Sequence, residues 1–174
     1  MMTKNNSFLI LLSVLLTMLF CGCEIQKKAD LKTDEYSWTV PDMSGYENFD
    51  QNNIDVLRQI DLEQLEKILN QKASALLLVT SPQCGVCQEV INDLAKTAKE
   101  SNKPLCYMNA TNIAEDYETY LQFIEVMNPV LIEEDGKKKI FTPELVKIVD
   151  GEFADHCVGS DLNRLIEILK GEIE

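Results

Sequence analysis

The sequence predicts an α/β domain in which one mixed sheet is flanked by helices, with a cysteine pair where a central strand gives way to a helix. Three observations carry that expectation. Ala75-Leu76-Leu77-Leu78-Val79-Thr80 is a short apolar run of the kind that forms a fully buried strand. Val86, Val90, Ile91, Leu94 and Ala98 follow at helical spacing, so Cys84-Gly85-Val86-Cys87 opens a helix immediately after that strand. Near the C-terminus, Asp150-Gly151 separates two apolar runs and marks a hairpin.

Taken in order, the elements support this architecture. Ile54, Val56 and Ile60 suggest a first strand or edge segment. Asp61-x-x-Gln64 has the form of a capping box, and Leu62, Leu65, Ile68 and Leu69 make one apolar stripe behind it. The central strand and the cysteine helix, which runs to about Lys99, come next. Pro104–Asn109 reads as another strand. Ile113, Tyr117, Tyr120, Leu121, Ile124 and Met127 then share one helical face that ends before Pro129 and is expected to be core. Glu133-Glu134-Asp135-Gly136-Lys137-Lys138-Lys139 reads as a solvated charged turn. Leu145–Val149 and Phe153–Val158 should pair antiparallel across Asp150-Gly151. In the last helix, Leu162, Leu165, Ile166 and Leu169 form the buried stripe, with Ser160-x-x-Asn163 as the cap. The order β-α-β-α-β-α-β-β-α gives parallel strands with crossover helices, then an antiparallel hairpin and a terminal helix. There is no internal repeat and no second domain.

The chain divides into residues 1–22, 23–53 and 54–174. Lys4 precedes an apolar run from Phe8 to Phe20, broken only by Ser13 and Thr17. A membrane-spanning helix needs about 20 apolar residues, so this shorter run fits the apolar core of a signal peptide. Phe20-Cys21-Gly22-Cys23 resembles the lipobox of bacterial lipoproteins, although the family usually has leucine where Phe20 stands. That resemblance implies cleavage before Cys23 and lipidation of Cys23; an uncleaved anchor or ordinary secretion are the alternatives. All three place the domain outside the cytoplasm. Residues 23–53 are polar and acidic, broken by Pro41 and Gly45, and read as a lipidated tether to the membrane; the pattern assigns Trp38, the only tryptophan, no place. The formal charge of −13 disfavours nucleic acid and anionic lipid surfaces as partners. It serves solubility.

Six cysteines are present, of which Cys21 and Cys23 belong to the N-terminal segment. For Cys84 and Cys87, the spacing alone permits redox work, a structural disulfide or half of a zinc site. A helix N-terminus presents unpaired N–H groups and the positive end of the dipole, which favours a thiolate on the first cysteine. The second, one turn on, can attack a mixed disulfide at the first. A structural zinc site usually needs four Cys or His ligands, and His156 is the only histidine; it is read as a surface or packing residue and no metal is expected. A domain of this length has no need of disulfide staples, which favours reactivity for the close pair.

This order of elements, with Cys84-Gly85-Val86-Cys87 opening the second helix and Thr142-Pro143 before the hairpin, resembles the thioredoxin superfamily over residues 54–172. The longer stretch before Thr142, with the lipid signal, looks most like its bacteriocin-transport-accessory branch. The resemblance implies that Cys84 is the nucleophile and Cys87 the resolving thiol. It implies that Pro143 is a cis-proline facing the pair and keeping metals away. Thr142 would pair its backbone with an extended substrate chain, and Gly159 would lie near the substrate groove. Gly85 and Val86 would tune the redox potential. No cofactor is implied beyond the Cys84–Cys87 disulfide itself. Cys106 and Cys157, set in strands on opposite sides of the central strand, would be too far apart for a disulfide; they read as small buried hydrophobes, with Cys157 alternatively a third thiol near the groove. Where members of the family bury an aspartate six residues before the first cysteine, this chain has Leu78. Gln83 and Val86 stand where reducing thioredoxins have Trp and Pro.

The reading that results is a membrane-tethered, extracytoplasmic thiol–disulfide oxidoreductase acting on cysteines of exported proteins or peptides. It would exchange electrons with a membrane or extracytoplasmic thiol partner. The competing reading is a non-catalytic accessory module that holds an exported peptide, such as a bacteriocin, in the groove around Thr142-Pro143.

Overall fold

The computed structural model describes residues 38–171. The signal peptide expected at 1–22, the lipidation expected at Cys23 and the first part of the expected tether lie outside the described residues. Among those described, no helix is long and apolar enough to cross a membrane.

The strands and helices run β1 (Leu57–Gln59), α1 (Leu62–Asn70), β2 (Ala75–Thr80), α2 (Gly85–Glu100), β3 (Leu105–Asn109), α3 (Ala110–Glu115), α4 (Tyr117–Met127), β4 (Ile132–Glu134), β5 (Lys137–Lys139), β6 (Glu144–Val149), β7 (Glu152–Val158) and α5 (Leu162–Lys170). Five strands form one sheet in the order β1-β3-β2-β6-β7, while β4 and β5 pair only with each other. β1 and β2 lie parallel to β3, whereas β6 is antiparallel to β2 and to β7. Every residue of β2 is buried, which explains why its sequence is a continuous apolar run rather than an alternating one.

Alternation along the strands divides the interior in two. Leu76, Leu78, Tyr107 and Leu145 face α2 and α5, where Cys87, Ile91, Leu94 and Leu169 meet them. Leu77, Val79, Met108 and Val146 face the opposite layer, packed against Leu65, Ile68, Phe123 and Met127. Asp61 caps α1 through the reciprocal box with Gln64, at 2.8 Å and 2.9 Å. The β6–β7 turn has positive φ at both Asp150 and Gly151, the conformation that Asp-Gly sequences favour. Gly151 is also required by space, since a Cβ there would stand 2.3 Å from the Leu69 carbonyl oxygen.

Several expectations need correction. Ile54 and Val56 belong to a 3-10 turn over Gln51–Val56, capped by Asp50, and the first strand is only Leu57–Gln59. The single helix expected over 113–127 is two helices. Asp116 is extended and caps α4 through the Thr119 amide, so the helical phase restarts there. Tyr117 and Leu121 consequently face solvent, 71% and 47% exposed, and the face expected to be core is not one. The charged stretch 132–139 is a small hairpin rather than an irregular loop. The last helix is capped by Asp161, which accepts from the Arg164 amide, and not by Ser160.

The largest correction concerns the segment expected to be tether. Pro41 to Asp50 is part of the domain: Met43, Tyr46 and Phe49 are buried in the core beneath α2. Side chains of α2 hold the segment's backbone. Gln88 receives the Glu47 amide at 3.0 Å and donates to the Gly45 carbonyl at 2.9 Å, Asn92 receives the Asp50 amide at 2.7 Å, and Lys99 donates to the Asn52 carbonyl. Gln59 donates to the Thr39 carbonyl at 2.9 Å, so the packed domain begins at least as early as Thr39 rather than at Ile54. Removing a buried methionine side chain from a core costs about 2–5 kcal/mol. Met43→Ala should therefore lower unfolding stability by about 2–4 kcal/mol in urea titration. A loss below about 0.5 kcal/mol, the usual range for surface substitutions, would show that the segment is not part of the folded core.

Candidate active site

The site forms where β2 ends and α2 begins. Cys84 is the N-cap residue of α2, extended at φ −88° and ψ 118°, and its Sγ accepts the Cys87 amide at 3.2 Å. A sulfur thus occupies the place usually taken by a serine or aspartate oxygen. It receives an otherwise orphaned amide at the positive end of a sixteen-residue helix. The Cys84 thiol lies 3.3 Å from the Thr142 carbonyl oxygen. The Thr142–Pro143 bond is cis, as expected, and the Gly159 amide donates to the Pro143 carbonyl at 2.9 Å, with Gly159 at φ +93°. The structure therefore brings together Cys84, Cys87, Thr142, Pro143 and Gly159.

The two thiols differ because their depths differ. Partial burial alone would raise the Cys84 thiol. Hydrogen bonding with Cys87 and Thr142, and with the amides of Cys87 and Val86, outweighs this and holds it below its ordinary value. Cys87 is completely buried. Burial pushes its thiol up, and so does its contact with Cys84. The ordering is the one required for one sulfur to attack from the surface while the other waits in reserve. Gly85 is exposed with open space around it, whereas Val86 packs on the core beside the pair.

The remaining cysteines stand apart. β2 and β6 separate Cys106 on β3 from Cys157 on β7, and all four described cysteines are free. Cys106 is buried and its thiol is pushed up to about 12 by burial. Cys157 is only half-buried, packed on the same core layer as Cys87, so the reading of both as buried hydrophobes holds fully for Cys106 alone. Burial and then Asp161 push the Cys157 thiol up, which leaves it a weaker nucleophile than Cys84. His156 is exposed on β7.

Sequence reasoning missed the residues around the pair. Ser81 donates to Gln83 at 2.7 Å and shares a hydrogen bond with Thr111 at 2.9 Å, fixing the approach to Cys84. Beside them opens a cleft of about 370 Å³ whose wall includes Ser81, Thr111, Tyr120, Lys139 and Thr142. Behind Cys87, the Tyr46 and Thr80 hydroxyls bond at 3.0 Å in the buried interior. Glu144, next to Pro143, is 1% exposed and neither carboxylate oxygen meets a protein donor. It lies opposite Val79 in register and therefore on the sheet face away from Cys87. Burial pushes its carboxyl up to about 7. A polar residue directly after Pro143 was the one sequence signal, and it says nothing of burial.

No protein-family model and no curated protein matches the sequence. Among solved structures, a protein with a thioredoxin fold aligns at a TM-score of 0.51 and 13% identity, covering 68% of this chain and 98% of its own. Thioredoxin from Malassezia sympodialis aligns at 0.48 and 15% identity over 65% of this chain and 89% of its own. Thioredoxin from Aeropyrum pernix aligns at 0.44 and 22% identity over 62% and 80%. The fold is thioredoxin-like, with the mixed central sheet and flanking helices that the sequence predicts.

Glu144 makes a prediction about pH. Its folded-state value of about 7 lies above the ordinary 4.5, so the folded protein holds this proton more tightly than the unfolded chain does. The associated stability is fully present below pH 4.5 and is lost as pH rises through about 7. The loss is on the order of 3 kcal/mol. Glu144→Gln should remove this slope and exceed the parent in stability above that range, in urea titrations at a series of pH values. Parallel pH profiles for the two proteins would refute the assignment.

Proposed function

We propose that this protein is a thiol–disulfide oxidoreductase, tethered to the membrane through lipidated Cys23 and acting outside the cytoplasm on cysteines of exported proteins or peptides. One observation carries the chemistry: Cys84 is held as the sulfur cap of α2, 3.3 Å from the Thr142 carbonyl, with Cys87 buried one turn behind it. The lipobox-like Phe20-Cys21-Gly22-Cys23 and the apolar run before it support the location.

In the reductive direction, the Cys84 thiolate attacks one sulfur of a substrate disulfide. A Cys84–substrate bond forms, the substrate disulfide breaks, and the departing thiolate takes up a proton. Cys87 then gives up its proton and attacks the Cys84 sulfur. The Cys84–Cys87 disulfide forms, the mixed disulfide breaks, and the second substrate sulfur leaves as a thiol. Two electrons have passed from the cysteine pair to the substrate. The same steps in reverse oxidise a substrate dithiol, and an extracytoplasmic thiol partner restores the starting state. The cleft beside Thr142 would take the substrate chain, paired with the Thr142 backbone.

Cys84→Ser should abolish exchange with a peptide disulfide. Cys87→Ala should accumulate a mixed disulfide at Cys84 that dithiothreitol releases, seen by intact-mass spectrometry. No adduct with Cys87→Ala would end the redox reading. Full cellular function in a Cys84→Ser/Cys87→Ser variant would favour the peptide-holding accessory module instead.

The location has its own test. In cells labelled with a fatty acid, the full chain should incorporate label and fractionate with membranes, and Cys23→Ser should lose both. Unlabelled wild-type chain would remove the lipid anchor from the proposal.

A further inference from the structure

Under the redox reading, Cys87 must lose its proton to resolve the mixed disulfide, yet it has no exposed surface. A buried carboxylate beside it could assist, but Leu78, apolar and fully buried, lines this side of β2. Glu144 is the one buried carboxylate among the described residues, and it faces the other layer. Hydroxyls are what remain. Thr80 ends β2 on the same side as Leu78, facing the layer in which Cys87 and Tyr46 are buried, and is 1% exposed. The Tyr46 hydroxyl meets Thr80 Oγ1 at 3.0 Å.

We propose that Thr80 is a catalytic hydrogen-bond donor to the Cys87 thiolate, and that Tyr46 is a positioning residue that sets the direction of the Thr80 hydroxyl. A threonine hydroxyl has one proton to donate and two lone pairs to accept with. When Tyr46 donates its proton to Thr80 Oγ1, a lone pair is occupied and the Thr80 proton is free to point at Cys87. The tyrosine has reason to remain protonated, because burial pushes its hydroxyl far up. As Cys87 attacks Cys84, its proton ends on the departing substrate sulfur, so the step is balanced without a base. Thr80 stabilises the sulfur charge that exists in between.

Tyr46 reaches this place through the segment laid along α2. Gly45, its neighbour, sits so close to Pro82 that a Cβ would come within 2.8 Å of the proline Cβ. The Gln88 side chain donates to both the Gly45 carbonyl and the Pro82 carbonyl, at 2.9 Å and 2.6 Å. The segment is thereby pinned to the loop that carries Cys84. The other titratable groups around Cys87 are few. Cys84 lies on the same helix, and Tyr107 on β3 packs beside Tyr46. Asp42 lies beyond Tyr107, and Cys157 packs from β7. None places a carboxylate against the thiol.

The test rests on the redox reading and separates its failure from that reading's. Reduced protein is mixed with Ellman's reagent in stopped flow. The first thionitrobenzoate release reports attack by Cys84, and the second reports resolution by Cys87. Tyr46→Phe and Thr80→Val each remove one oxygen while keeping the shape. Each should lower the ratio of second to first rate about tenfold at neutral pH, the worth of a hydrogen bond to a charged group. The pH midpoint of the second release should move up by about one unit. Thr80→Ser, which keeps the hydroxyl, should restore the ratio. Independently of any exchange, ultraviolet thiolate titration in a Cys84→Ser background should show the Cys87 midpoint rising by about one unit with Tyr46→Phe. An unchanged midpoint there, or an unchanged ratio in folded Thr80→Val, overturns the proposal. Absence of any first release in the parent protein would instead overturn the redox reading, with the titration still deciding the role of Thr80.

Discussion

The site depends on one contact: a backbone amide of α2 held against the sulfur of Cys84 at 3.2 Å. Sulfur is a weaker acceptor than the oxygen of a usual cap, and the contact gains most when the sulfur is charged. The helix end is thus a better partner for the thiolate than for the thiol. That preference is useful only if the helix cannot move away. α2 is held by seven buried residues, among them Val90, Ile91 and Leu94. On its outer side, Gln88, Asn92 and Lys99 bond to the backbone of the N-terminal segment. The strand feeding the site is the most buried in the sheet. Rigidity on both sides of the junction keeps the sulfur and the amide in register.

The same geometry makes two identical side chains unlike. Cys84 stands before the first helical residue and is partly exposed, while Cys87 is turned into the layer between sheet and helix. Burial works against both thiolates, but only Cys84 collects the orphaned amides that offset it. The cost falls on the second thiol. Its surroundings are Leu78, Tyr46, Tyr107 and Thr80, an environment with hydroxyls and no carboxylate. Burial and the helix-end hydrogen bonds together make Cys84 the readier thiolate and Cys87 the more reluctant one.

Much of this was legible in the sequence because the relevant elements obey local rules. A strand buried on both faces must be apolar throughout, a capping box announces its helix, and Asp150-Gly151 needs positive φ at both central positions. The cysteine pair was readable for its position between two such elements. The losses have physical reasons too. Met43, Tyr46 and Phe49 are three residues apart in an otherwise acidic stretch, and each is buried by an irregular backbone that no strand or helix period describes. Asp116 extends the chain between α3 and α4 and resets the helical phase, so the apolar spacing across it had no common face. Asp116 caps α4 through the Thr119 amide, a local signal that the longer apolar stripe masks. In the small hairpin, both strands carry charged residues, and the alternation that signals a half-buried strand is missing.

Glu144 breaks local rules in a different way. A carboxylate with no donor, inside a sheet, is expensive wherever it lies, and this one follows the cis-proline next to Thr142, whose carbonyl meets Cys84. Sequences that fold well are locally consistent, and departures gather where another requirement competes. Two such departures occur at the same end of the sheet: a sulfur used as a helix cap, and a buried carboxyl on the strand opposite. They lie on opposite faces, so Glu144 does not take a proton from Cys87. The opposite sheet face nevertheless carries a group that exchanges its proton near pH 7. β6, whose first residue Glu144 follows Pro143, is therefore a strand whose packing responds to pH.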